Sequence, residues 1–254
     1  MSAQFDLSKL SVGQFAERFR SEMIPLSSTF SYFCASVPLT EEDVKEYLEE
    51  PIAALPPALA SRLPKISIIL VPYLERVHGK EKIGKMSDII SIEKPPENRL
   101  SWATHMRIGN EQVMVFALKD QEVAEYHYRF YRQLATFIAD SAGVEELNNF
   151  TGLLREELHG NVHGEVDEES WHAKQALLRR QAKVLKETKA FRTYARAAFI
   201  DTLTLYLHGI CCDIDVETGP RQLPSRYMRK RLQMLHDMFP PSEGFAVFPE
   251  ELTK

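Results

Sequence analysis

The sequence predicts an α+β fold, predominantly helical, with a small antiparallel sheet in the amino-terminal half followed by a helical bundle. Two observations carry this. Residues 1–118 hold short apolar runs broken by proline and glycine, whereas from Asp120 the apolar residues recur at helical spacing and rarely leave it before Phe239. A chain of 254 residues, 44% hydrophobic and 26% charged, is also long enough to bury a proper core without disulfide staples. It reads as one domain: Pro-broken helices and a small sheet over 1–118, then a bundle over 119–254 with a docked carboxyl-terminal tail.

Thr40-Glu-Glu-Asp43 is a capping box before "VKEYLEE", and Pro51 follows, so a short acidic helix is expected there. The apolar run Ile66 to Val71 is a strand that Pro72 either confines to a sheet edge or ends. In "LSWATHMRIGNEQVMVFALKD" the residues Trp102, Thr104, Met106 and Ile108 alternate with their neighbours. Gly109-Asn110 makes a turn, and Val113, Val115 and Ala117 return. This is a hairpin, with Ile89 to Ile92 as its expected third strand. Four helices follow: 121–140, 144–162, 168–212 with a break near Thr188, and 225–239. The last stretch, "PPSEGFAVFPEEL", carries Phe245, Val247 and Phe248 and is too apolar for a free tail.

The net charge of −5 argues against a general nucleic-acid binder. No segment has the length and purity of a membrane span, and the first twenty residues lack the apolar core of a secretory signal. Three cysteines, two of them adjacent, make no disulfide framework, which points to the cytoplasm. An acidic segment, 145–169, precedes a basic one, 174–196, and the two are expected to pair with each other or to be solvated. The basic run "RYMRKRLQ", Arg226 to Gln233, lacks the interleaved aromatics of a nucleic-acid surface.

The densest set of chemistry-bearing residues is "DTLTLYLHGICCDIDVETGP", Asp201 to Pro220. The helix leading into it is apolar on nearly every side, so it should be the central helix. Asp201, Thr204 and His208 form one stripe along it, extended by Cys211 or Cys212. A buried carboxylate needs a partner, and Arg192, Arg196, Arg221 or Arg226 could supply a plain ion pair. The cysteines at such a helix end read as inert packing residues. Asp213, Asp215 and Glu217 lack the spacing of a calcium loop and read as a helix exit.

A second cluster is "REELHGNVHGEVDEESWHAK". If the helix is continuous, Glu156, His159 and His163 share a face, and Glu169 with His172 repeats the Glu-x-x-His spacing that bundles use to hold paired iron or manganese ions. Gly160, standing where a zinc protease needs its glutamate, excludes that chemistry. On the preceding helix His127 falls on the apolar stripe of Val123, Phe130, Leu134 and Ile138. These residues point to a cytoplasmic metalloprotein with one or two divalent ions, Fe, Mn or Zn, held by His127, Glu156, His159, His163 and His208. Asp201 would orient a ligand histidine from behind, and oxidase or hydrolase chemistry would follow. The alternative is a non-catalytic interaction or scaffold protein with no metal, whose small-molecule or protein partner the sequence does not name. Neither reading involves nucleic acid or membrane.

Overall fold

A computed structural model describes residues 10–78, 86–141, 144–179, 184–212 and 221–248, and they form a mixed α+β fold that is mostly helical. The chain divides into two compact units, Met1–Glu49 with Leu63–Arg129, and Glu50–Arg62 with Phe130–Lys254.

In the first unit, helix α1 (Val12–Arg18) starts at a capping box of Ser11 and Gln14. Strands β1 (Ile24–Pro25) and β2 (Phe30–Cys34) follow. The Thr40–Asp43 capping box opens α2 (Glu41–Val44), as its spacing predicts. Pro51 does not end this helical stretch. Lys45–Glu49 widens into a π-helical turn and α3 (Glu50–Ala53), which belongs to the second unit, carries Pro51 within it. A proline removes a donor from the α ladder, and a π turn just before it re-spaces the carbonyls that would otherwise clash with the ring. The second unit also takes α4 (Pro57–Ala60).

The remaining strands are β3 (Ile66–Val71), β4 (Tyr73–His78), β5 (Met86–Ser91), β6 (Leu100–Ser101), β7 (Ala103–Ile108) and β8 (Glu111–Ala117). The predicted hairpin forms as β7 and β8, with Gly109 at φ +60° in its two-residue turn, a conformation that suits glycine. The sheet around it is larger than a hairpin, with order β1-β2-β3-β8-β7, and it is mixed: β3 pairs in parallel with both β2 and β8. Pro72 therefore ends β3 and does not confine it to an edge. All six residues of β3 are buried, because a strand with parallel neighbours is covered on both faces. Ile69, Val71, Val113, Val115 and Ala117 pack with Val12 and Phe15. Phe116 meets the ring of Tyr126 edge-on at 5.0 Å. The stretch expected as the hairpin's third strand lies instead in a separate sheet of order β5-β4-β6, where Ile90 pairs with Leu74.

The helices are α5 (Val123–Ser141), α6 (Val144–His159), α7 (Glu168–Leu178), α8 (Lys189–Cys211) and α9 (Ser225–Met238). The predicted break at Thr188 is real, since its side chain caps α8 by accepting from the Phe191 amide. Phe248 is buried against the ring of His236 and the guanidinium of Arg229, so the tail docks as its composition predicts.

The second unit is tied together by a buried charge network. Arg231 of α9 forks onto Glu157 of α6 (2.6 Å and 3.1 Å) and onto Glu165 (2.8 Å and 3.1 Å), which lies in the loop before α7. Lys174 of α7 reaches Glu165 at 3.0 Å and the Gly164 carbonyl at 2.8 Å, and Tyr194 of α8 donates its hydroxyl to Glu165. All five side chains are buried, and two cations balance two carboxylates. The loop that delivers Glu165 is held by backbone bonds to Arg221 and Leu223, and Gly164 (φ +83°) is so close to Gln222 that a Cβ there would lie 2.1 Å from its carbonyl oxygen. Part of the acidic segment thus pairs with the basic one, through Glu165 and Lys174, but its main cation comes from α9.

Two outcomes follow from this network. Arg231→Ala takes from buried Glu157 its cation and leaves Glu165 with Lys174 and Tyr194, and it should cost about 3–5 kcal/mol in urea unfolding, against little for exposed Arg226→Ala. Burial alone would raise the Glu165 carboxyl, but the Arg231 and Lys174 charges hold it below its ordinary 4.5. A depressed carboxyl stabilises the fold fully above its unfolded value and loses that contribution as pH falls through its folded value. Stability should therefore fall below about pH 4.5, and Glu165→Gln should flatten that acid limb; an unchanged limb would remove Glu165 as its source.

Candidate functional site

The helix α8 is buried on nearly all sides, as its all-round apolar sequence predicts, and it carries the stripe Asp201, Thr204 and His208 inward. Thr204 returns its hydroxyl to the Ile200 carbonyl at 2.7 Å, which satisfies it within the helix. Asp201 accepts from Arg132 of α5 at 2.8 Å and from the Ser170 amide at 2.9 Å. That amide opens α7, so Asp201 together with Asp167 caps the positive end of that helix. Burial nevertheless pushes the Asp201 carboxyl above its usual range, partly offset by Arg132 and Ser170. None of the arginines that sequence proximity suggests is its partner. Arg196 pairs with Asp140, and the cation comes from a helix sixty-nine positions away. Asp201 is thus an anchor between helices, and the role of orienting a ligand histidine finds no support in its contacts.

The structure disperses most of the expected ligand set. Helix α6 stops at His159, and Asn161 takes φ +51°, so Glu156, His159 and His163 do not lie along one helix. Glu156 is exposed and pairs with Lys230 at 2.8 Å, while its neighbour Glu157 points inward to Arg231. His159 is exposed, and His163, also exposed, sets its ring edge-on to Trp171 at 5.3 Å. Glu169 pairs with Arg132, and His172 with Glu168 at 3.2 Å, both at the surface. His208 is buried, its ring 6.2 Å from that of Tyr131. Among the described residues, Glu156, His159, His163 and His208 belong to no group of three or more His, Cys, Asp or Glu close enough to share an ion.

His127, in the first unit, is buried, and its Nε2 lies 2.8 Å from the Glu46 carbonyl. A carbonyl only accepts, so Nε2 carries the proton and Nδ1 is the basic nitrogen of the ring. A backbone carbonyl behind one ring nitrogen is the arrangement that fixes a histidine for ligation through the other.

The sequence reading takes the thiols as inert packing residues. Helix α8 ends at Cys211, and Cys212 turns the chain away in an extended conformation, its amide donating to the His208 carbonyl at 2.9 Å. Both side chains are half-buried. The Cys211 thiol is lowered from its ordinary 9.0 to about 7, first by a hydrogen bond with the Cys212 side chain and then by one with the Tyr131 hydroxyl, against the opposing effects of burial and of Glu50. The Tyr131 hydroxyl also donates to the Pro51 carbonyl at 3.0 Å. By contrast, burial pushes the Cys34 thiol up to about 11. Two adjacent cysteines after a buried helix are the signal in the sequence, but Tyr131, which adds to the lowering by Cys212, is eighty residues away. Asp213, Asp215 and Glu217 lie outside the described residues.

Compared with protein-family models, with curated proteins and with solved structures, the chain matches nothing. Among the described residues no helix is long and apolar enough to cross a membrane.

The thiol chemistry is directly measurable. The rate of Cys211 alkylation by iodoacetamide, followed by peptide mass spectrometry, should reach half its maximum near pH 7, with Cys34 reacting only at far higher pH. Cys212→Ala removes the leading donor and should move the Cys211 midpoint back toward 9.0; a midpoint near 9.0 already in the unaltered protein would contradict the arrangement.

Proposed function

We propose that this is a metal-binding protein whose ion is thiophilic, with Zn(II) the best fit among the three metals considered, and that Cys211 and Cys212 supply ligands at the carboxyl end of α8. The observation that carries the proposal is the adjacent pair of half-buried free thiols at the end of α8, with the Cys211 thiol lowered to about 7 by its bonds to Cys212 and Tyr131. Thiolate is the ligating form of cysteine, and a thiol whose surroundings lower it gives up its proton to a metal at less cost than an ordinary one. The position adds to this. The carboxyl end of a helix carries negative partial charge, which disfavours thiolates on their own and favours a cation beside them.

The donor set also discriminates between metals. Paired iron or manganese ions need several carboxylates, and Glu156 and Glu169 are engaged in surface ion pairs. Sulfur donors favour zinc, which has no redox chemistry of its own and would act by polarising bound water or a carbonyl, the hydrolase branch of the earlier expectation.

Elemental analysis of the full chain, purified without added metal or chelator, should find zinc at about one equivalent. Cys211→Ser together with Cys212→Ser should remove it while leaving the far-ultraviolet dichroism unchanged. A protein that neither contains zinc nor takes it up when both thiols are reduced would refute the proposal. So would zinc retained in full by the double variant.

A further inference from the structure

Along the outer face of α9 lies an open groove of about 800 Å³, lined by seven residues of that helix from Arg226 to Met238 and by Asn149 of α6. None of these residues takes part in the buried network below them or in the thiol pair. Arg226, Arg229 and Lys230 make the groove cationic against one carboxylate, Asp237, although the chain as a whole carries a charge of −5. Met234 and Met238, one helical turn apart and half-exposed, are its apolar lining.

We infer that this groove docks an acidic amphipathic helix of another protein. A helix laid in a groove presents apolar anchors at i, i+3 or i+4 and i+7, and the methionine pair offers the adaptable surface such anchors use. The span from Arg226 to Met238 is about 18 Å at the rise of an α-helix, room for about three turns of a partner. Glutamates flanking the anchors would meet Arg226, Arg229 and Lys230. Lys230 would exchange its exposed pairing with Glu156, a surface contact of small worth, for the incoming carboxylates. A nucleic acid fits less well. Bases of a single strand would stack on open aromatic faces, but the ring of Tyr227 is covered by the guanidinium of Arg226 at 4.6 Å and that of Phe248 by Arg229 at 4.7 Å.

The test uses the full chain and a fluorescein-labelled synthetic peptide of about twelve residues, with leucines at i, i+3, i+7 and glutamates on either side. Comparators are the same residues in scrambled order and a single-stranded oligonucleotide. Anisotropy titrations should show saturable binding of the amphipathic peptide, at least about tenfold tighter than the scrambled one and weakening as salt is raised. Arg226→Glu with Lys230→Glu should reduce binding by about tenfold or more, and Met234→Glu should do so without altering the two arginine–aromatic contacts. Equal binding of the scrambled peptide, tighter binding of the oligonucleotide, insensitivity to both variants in folded protein, or no binding of the amphipathic peptide would each overturn the inference.

Discussion

The second unit depends on the pairing of Arg231 with Glu157 and Glu165. A guanidinium and two carboxylates out of water are tolerable only if nearly every donor and acceptor is used, and here Lys174 and Tyr194 complete the set around Glu165. The geometry draws α6, α7, α8, α9 and the loop before α7 toward one point. It also explains local features that look unrelated. Gly164 must be glycine because the loop carrying Glu165 passes against the Gln222 carbonyl, and the backbone bonds of Glu165 to Arg221 and Leu223 fix the entry to α9. Such a network contributes less net stability than an apolar core of equal volume would, but it makes misplaced helices costly, since any other register strands a charge.

A second, more exposed network does the same work at the start of α7. Arg132 gathers Asp167, Glu169 and Asp201, and Asp201 in turn accepts the Ser170 amide. The two networks take up Asp201, Glu169 and the inward-facing acids Glu157 and Glu165, while Glu156 and His172 are held in separate surface pairs. They leave the carboxyl end of α8, where polarity is concentrated in sulfur and in one phenol, as the place where the chain offers unusual chemistry.

Much of the architecture was legible in the sequence because it rests on local signals. The Thr40–Asp43 capping box, the Gly109 turn, the helix start at Thr188 and the apolar tail each need only a few neighbouring residues. What was not legible depended on phase or on distant pairing. The run from Ile66 to Val71 suits an edge strand ended by proline as well as a central one, and only the parallel neighbours decide between them. One residue of helical phase separates Glu156, at the surface, from Glu157, at the heart of the unit. The partner of Asp201 lies on α5, far from the arginines near it in sequence. For the site, His208 is buried as its place on the stripe required, whereas the ligand role of Glu156, His159 and His163 assumed a continuous helix that Gly160 and Asn161 interrupt. Packing is the usual fate of thiols at the end of a buried helix, and although the lowering of the Cys211 thiol comes first from its neighbour Cys212, the further contribution of Tyr131 is one that no spacing rule connects to it.

The claim that joins these observations is that sulfur, and not a carboxylate cluster, is the metal-binding chemistry of this chain. Zinc K-edge X-ray absorption on the full-length protein loaded with one equivalent of Zn(II) examines the donors themselves. The account predicts sulfur scatterers at about 2.3 Å, lost when Cys211 and Cys212 are replaced by serine. A first shell of nitrogen and oxygen alone at about 2.0–2.2 Å, unchanged by those replacements, would contradict it.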